Sequence, residues 1–325
     1  MDVVALGELL IDFACLSTDS DGYPTMAAHP GGAPANFLAA LTKYGAKTAL
    51  LGKVGADAFG RLLVQTMEKA GIEPRGIVRD ESVFTTLAFV TFDNRGEREF
   101  SFARKPGADT RLTFRELDLG LIDGAKVFHF GTLSLTDEPV KTATQKAVAY
   151  AREKGKMITF DPNLRKPLWK DEQQARDAIL WGLHQADFVK ISDEEVAFLW
   201  SCDEKTAAKK LLTEFGVKLA LVTLGSKGAY LANQQAWGFA HCPKVQVVDT
   251  TGAGDICGGA ALSRILKLGI PLEGLDSAQL EEIASFAVTA ASLSTEKSGG
   301  IPSIPEEREI EERIIRKSAA SYDMS

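Results

Sequence analysis

Short β-branched and aliphatic runs alternate with amphipathic helical patterns along most of the chain, and this rhythm restricts the fold more than any other feature. Strands are expected at 3–6, 48–54, 126–130, 157–160, 188–191 and 219–223. Between the first two, Phe37, Ala40, Leu41 and Tyr44 share a helical face, and Gly45 stands where a C-terminal cap belongs. Phe59, Leu62, Leu63, Thr66, Met67 and Ala70 repeat the pattern before Gly71. Alternation of this kind predicts an α/β fold, a mostly parallel central sheet with helices on both faces. In such folds ligands gather beyond the carboxyl ends of the strands.

One region breaks the rhythm. Segments 84–92 and 97–103 read as consecutive strands joined by Asp93-Asn94-Arg95-Gly96, a hairpin turn. Apolar residues occupy both faces of the first strand, so both faces need cover from substrate, a partner subunit or both. The irregular 15–29 segment is open to adding strands to the same small sheet. The expected division is a core of 1–12, 31–82 and 106–325 and a β-sheet lid of 13–30 and 83–105. Residues 318–325 read as a frayed tail.

A net charge of −7 with no long Lys/Arg block argues against nucleic acid or an anionic membrane as partner. Cys15, Cys202, Cys242 and Cys257 are scattered, without a CxxC or a His/Cys cluster, which excludes a zinc site and makes a disulfide framework poor. The first residues lack a basic, apolar leader pattern, so a cytoplasmic setting is expected.

The chemistry concentrates at Asp249-Thr250-Thr251-Gly252-Ala253-Gly254-Asp255, between a strand-like run at 244–248 and a helical pattern carrying Cys257, Ala261, Ile265 and Leu268. Strand, glycine turn and helix start aim several backbone N–H groups at one point, which suits a phosphate or a developing oxyanion. Asp255 follows the last glycine, where a carboxylate can take a proton from an incoming hydroxyl as a phosphoryl group arrives. The helix terminus is expected to keep it ionised. Capping of an ordinary turn is the plain alternative. Neither GxxxxGK[ST] nor an early GxGxxG occurs, so this is neither a P-loop protein nor a typical dinucleotide binder.

The chain resembles the ribokinase/PfkB carbohydrate kinases, and among them the fructokinases, from residue 3 to about 305. The stretch DTTGAGDICGGAAL at 249–262 is similar to the family's C-terminal signature, and Gly31-Gly32-Ala33-Pro34-Ala35-Asn36 to its N-terminal one. Further matches are Gly7-Glu8-Leu9-Leu10-Ile11-Asp12, Asp161-Pro162-Asn163-Leu164-Arg165 and Val222-Thr223-Leu224-Gly225-Ser226-Lys227-Gly228. The lid segments with Gly96-Glu97-Arg98-Glu99-Phe100 and Arg104-Lys105-Pro106-Gly107-Ala108-Asp109 are similar to the fructokinase lid.

The resemblance implies an ATP-dependent sugar kinase with Asp255 as base and Gly252, Ala253 and Gly254 around the transferring phosphoryl group. Asp12, Gly31, Gly32 and Asn36 then fall at sugar-holding positions, although Asn36 alone also reads as a helix-start residue. Arg104 and Arg165 are candidates for sugar or phosphate contact, or for structural ion pairs. Lys190, Thr223, Gly225 and Gly228, with Gly254, map to the nucleotide. For Mg²⁺ the family's NxxE motif reads Ser192-Asp193-Glu194-Glu195, leaving Glu195, which also fits a capping box with Ser192. A K⁺ loop maps to Asp249, Thr251 and 295–303, mostly through carbonyls. Ile256-Cys257 and Val288 depart from the family pattern near the nucleotide, and Cys257 is expected to be buried and inert. The expected reaction is fructose to fructose 6-phosphate. Alternatives are ribose or 2-keto-3-deoxygluconate as acceptor, or a non-catalytic relative, and the lid's two apolar faces leave room for a homodimer.

Overall fold

The computed structural model describes the backbone of residues 1–92 and 98–322, and side chains within 1–91 and 101–316. In chain order the elements begin β1 (Val3–Leu6), β2 (Leu10–Thr18), β3 (Pro24–Gly31), α1 (Ala33–Lys43), β4 (Thr48–Gly55), α2 (Ala58–Lys69) and β5 (Ile77–Asp80). Then come β6 (Leu87–Phe92), β7 (Arg98–Ala103), α3 (Leu119–Asp123), β8 (Val127–Gly131), α4 (Val140–Glu153), β9 (Met157–Asp161) and α5 (Glu172–Gln185). The C-terminal part adds β10 (Phe188–Ser192), α6 (Asp193–Leu199), α7 (Glu204–Glu214), β11 (Leu219–Thr223), β12 (Ala229–Ala232) and β13 (Trp237–Ala240). Helices α8 (Ala253–Leu268), α9 (Ser277–Ser294) and α10 (Glu307–Tyr322) close the chain.

Nine strands form the main sheet in the order β13-β12-β11-β10-β9-β8-β1-β4-β5, parallel except for β12 and β13. Side chains alternate across it. Val3 and Ala5 pack under α1, α8 and α9, while Val4 and Leu6 pack against the layer of α4, α5 and α7. β1 lies between β4 and β8, so the chain leaves it first to one side and later to the other. The carboxyl end of β1 is therefore a topological switch point. Among the described residues no helix is long and apolar enough to cross a membrane.

A second sheet, β3-β2-β6-β7, projects from this edge. It includes the 15–29 segment, and its pairing starts at Leu10 opposite Gly31, slightly inside the expected core boundary. Its two apolar faces have different cover. Phe13 stacks on Phe89 with ring centroids 5.3 Å apart and meets Phe59 of α2 edge-on at 5.6 Å. On the opposite face Val90 and Phe102 line a cleft. The turn at 93–97 lies outside the described residues.

Three local expectations are corrected. The 244–248 run is not a strand: it pairs with no sheet, and Val247 and Val248 are 59% and 62% exposed. Phe84 is no part of a strand; it precedes β6 and is largely exposed. The expected tail is helical, since the backbone of α10 continues to Tyr322.

Candidate active site

Gly252 has φ 75°, a left-handed conformation that turns the chain into α8. A Cβ there would come within 3.0 Å of both Asn36 Nδ2 and Gly300 Cα. Helix α8 starts at Ala253, which places Asp255 in its first turn. Asp255 is buried, and two amides grip it: Asn36 Nδ2 donates to Oδ2 at 3.0 Å and Asn163 Nδ2 donates to Oδ1 at 3.0 Å.

Small residues bring these partners together. A Cβ on Gly259 would lie 2.5 Å from Phe37 O and 3.0 Å from Ala40 Cβ, so α1 and α8 cross at a distance only glycine permits. Phe37 is held from beneath by His129, whose ring stacks on it at 3.8 Å. Burial holds the His129 pKa down to about 3, so the ring packs as a neutral group. On the other side Asn163 adopts φ 45°, a conformation that asparagine tolerates better than most residues. Its backbone N–H donates to Asp161 Oδ1 at 3.1 Å, and Asp161 Oδ2 pairs with Lys190 Nζ at 3.1 Å. Burial opposes the Lys190 charge, but Asp161, Glu195 and Asp255 outweigh it and keep the ammonium protonated.

Burial is also the largest influence on Asp255 and raises its pKa. The Asn36 hydrogen bond, Lys190, Arg165 and the Asn163 hydrogen bond oppose it without cancelling it. Desolvation thus outweighs these partners, and a raised pKa makes the carboxylate a stronger base.

Two clefts of about 820 Å³ each meet at this turn. One is lined by Lys190, Thr223, Gly225, Gly228, Ala253 and Gly254, with Val245, Val247, Cys257 and Val288 as an apolar wall. The other is lined by Glu8, Asp12, Gly32, Asn36, Asn163, Arg165, Gly252 and Asp255, with Val90 and Phe102 of the lid. Glu194 and Thr250 border both.

Over residues 1–307 the sequence matches the pfkB family of carbohydrate kinases. It is 43% identical over 312 residues to Fructokinase-1 of Zea mays, covering 95% of this chain and 96% of that protein. An ATP-bound fructokinase from Xylella fastidiosa superposes with a TM-score of 0.84 at 29% identity, covering 98% of this chain and 99% of the other. A Vibrio cholerae O395 fructokinase bound to fructose, ADP and calcium gives a TM-score of 0.83 at 28% identity, covering 97% and 99%. The chain belongs to the pfkB family of carbohydrate kinases. It is a phosphotransferase acting on a sugar hydroxyl.

In this kinase the expected residues fall into three groups. Asp12, Gly32, Asn36, Arg165, Gly252 and Asp255 line one cleft, and Lys190, Thr223, Gly225, Gly228, Ala253 and Gly254 the other. Gly31 lines neither; a Cβ on it would collide with the Asp12 carboxylate, so its role is to leave that carboxylate room.

Arg104 is a correction. It is buried, and its Nε and Nη2 meet Asp109 at 2.8 and 2.7 Å while Nη1 donates to Thr136 at 2.7 Å. Nη2 also donates to Leu133 O at 2.8 Å, so the guanidinium pins the root of the lid to the core and has no donor left for sugar. Glu195 is a second correction. Its Oε1 accepts from Leu164 N and its Oε2 from Ser192 N, both at 2.8 Å, completing a capping box; Glu194 is the neighbour that reaches the clefts. The Thr251 hydroxyl donates to Asp249 at 2.7 Å, and Asp249 also accepts from Gly299 N at 2.9 Å, which ties the 249–251 loop to the 295–303 loop. Cys257 is buried, and burial pushes its thiol up to about 12, as an inert cysteine requires.

Sequence reasoning left Asn163 and Glu8 without roles. Both sit in quoted motifs, and the signal for Asn163 was its place just after a strand's carboxyl end.

Proposed function

We propose that this kinase transfers the γ-phosphoryl group of ATP to a primary hydroxyl of fructose, giving fructose 6-phosphate, with Asp255 as general base. The observation that carries the reading is the position of Asp255, buried at the junction of two clefts on the first turn of α8 and oriented by Asn36 and Asn163. The polar cleft suits a polyol and the glycine-lined, apolar-walled one suits a nucleotide. A hydroxyl entering beside Asp255 loses its proton to the carboxylate as its oxygen attacks the γ-phosphorus in line, and the β–γ bridging oxygen leaves with ADP. The amides of Gly252–Gly254 and the Lys190 charge face the developing negative charge.

Mg²⁺, when bound with ATP, would neutralise phosphate charge. Among the described residues no group of three or more His, Cys, Asp and Glu is arranged to hold a metal. That suits a metal held mostly by phosphates and water, with Glu194 bordering both clefts as the nearest carboxylate and Glu195 supporting the loop. K⁺ at the 249–251 and 295–303 loops is part of the proposal only through backbone oxygens.

The charge of the acceptor cleft favours a neutral sugar. Among the described residues its lining holds four carboxyl groups, Glu8, Asp12, Glu194 and Asp255, and two cations, Arg165 and Lys166, so a sugar acid finds no excess of positive charge. Exposed Leu16, Tyr23 and Phe84 on or beside the lid sheet support a homodimer through it, and four free cysteines suit a reducing cytoplasm.

The test is initial rates with ATP across fructose, ribose, glucose, mannose and 2-keto-3-deoxygluconate. Fructose is expected to give the highest kcat/KM. A lead of about tenfold for another acceptor, roughly 1.4 kcal/mol of discrimination, leaves the kinase and removes the fructose assignment.

A further inference from the structure

Glu8 lies two residues past the end of β1, at the switch point of the sheet. It is 3% exposed and still lines the acceptor cleft. Its Oε1 accepts from Ala33 N at 2.8 Å, at the start of the helix that carries Asn36. Besides Ala33 and its own backbone amide, the carboxylate meets no hydrogen-bond donor among the described residues. Arg104 and Asp109 are near enough to act on it electrostatically, but the Arg104 donors are committed to Asp109, Thr136, Leu133 O and Asp137.

An ionised carboxylate offers about four acceptor sites, and burying it with sites unfilled is costly. The cost is visible as a pKa raised to about 7, with burial the first cause and Asp109 adding to it. Capping α1 alone needs one acceptor oxygen, which a neutral serine, threonine or asparagine supplies without that cost. Glu8 lines the cavity read as the acceptor site, and a polyol there brings hydroxyl donors.

We infer that Glu8 is a specificity-determining residue of the acceptor cleft, accepting a hydrogen bond from a sugar hydroxyl other than the one Asp255 deprotonates. The inference rests on the reading of this cleft as the acceptor site. It gives the cleft two carboxylates for the acceptor's spectator hydroxyls, Asp12 and Glu8, on the two sides of the β1–β2 corner.

Glu8→Gln is the informative variant, because an amide oxygen can still accept from Ala33 N while the second acceptor oxygen becomes a donor. At pH 8, where Glu8 is ionised, the KM for fructose should rise about 10- to 100-fold, the range for losing a hydrogen bond to a charged group. The KM for ATP should stay within about twofold of wild type. Repeating the measurement with singly deoxygenated fructoses identifies the partner: one analogue should bring the wild-type to variant ratio close to one. A folded Glu8→Gln protein with an unchanged acceptor KM, or an equal loss with every analogue, overturns the inference and leaves Glu8 as a helix cap. Glu8→Ala, which also loses the Ala33 contact, serves as the structural control and should melt lower. The wild-type acceptor panel separates the two readings: if another sugar leads, the fructose assignment fails and the deoxy series is run on that sugar. Calorimetric sugar binding to wild type and Glu8→Gln decides the matter independently of turnover.

Discussion

On the proposed assignment of nucleotide and acceptor, the two clefts that meet at α8 recognise their contents by opposite means. The nucleotide side is mostly main chain and wall: Gly225, Gly228 and Gly254 leave room, and Val245, Val247 and Val288 give an apolar surface. The acceptor side is mostly side-chain polar atoms, from Glu8, Asp12, Asn36, Asn163, Arg165 and Asp255. Removing side chains should therefore injure the acceptor side, and adding them should injure the nucleotide side.

The largest expected effect is at the junction. Asp255→Asn keeps the shape of the first turn but sets an NH2 donor against either Asn36 or Asn163 and cannot take a proton, so kcat should fall about 10²–10⁴-fold. Nucleotide binding, followed by the melting shift with ATP, should persist. A folded variant keeping more than about a tenth of wild-type kcat removes Asp255 as the base.

Next come the two amides. Asn36→Ala and Asn163→Ala each leave one Asp255 oxygen without its donor, a loss of about 1.5–3 kcal/mol for a hydrogen bond to a charged group. Acceptor kcat/KM should drop about 10- to 100-fold while the KM for ATP hardly moves. Equal losses in both constants would erase the distinction between the clefts.

The converse substitution is Gly254→Ala. Its Cβ would sit 3.1 Å from Lys190 Nζ, so the lysine must shift, and the KM for ATP should rise several-fold with the acceptor KM little changed. Steady-state kinetics with each substrate varied in turn reads this directly.

The smallest effect is on stability. In the folded protein Glu8 and Asp12 hold their protons to about pH 7, against usual values of 4.5 and 3.8, with burial the main cause in both. Between those limits the folded chain binds more protons than the unfolded one, so stability falls as pH rises through the window. The sugar-free melting temperature should decline from pH 5 to 8, and Asp12→Asn should flatten part of that slope. A melting temperature that rises with pH, with no flattening in the variant, would contradict these carboxyl environments.

Much of this architecture was legible in the chain itself. The strands at 3–6 and 219–223 fall where the apolar runs end, and the other four core strands differ from expectation by one residue at either end. The edge strands β5 and β13 and the four-residue β12 beside β13 were not seen, because strands this short carry little periodic signal. At the site, the glycine-rich turns at 225–228 and 252–254 marked backbone that lines the two clefts. Arg104 and Glu195 were harder, since a charged residue near a cleft reads the same whether it faces ligand or neighbours. What decided both was the local supply of partners, Asp109 and Thr136 for one and the amides of Leu164 and Ser192 for the other, which only the folded arrangement brings into reach.

The close crossing of α1 and α8 has a consequence for how the enzyme comes into being. Asn36 and Asp255 are 219 residues apart, and the hydrogen bond between them ties the first helix made by the ribosome to one of the last. The whole β-sheet lid and every strand of the main sheet are synthesised before Asp255 exists. A nascent chain can therefore build its lid and main sheet early, yet completes neither cleft until its final quarter docks onto α1. Contacts of such long sequence separation are also slow to form. Activity should thus appear late in refolding, after most secondary structure has returned.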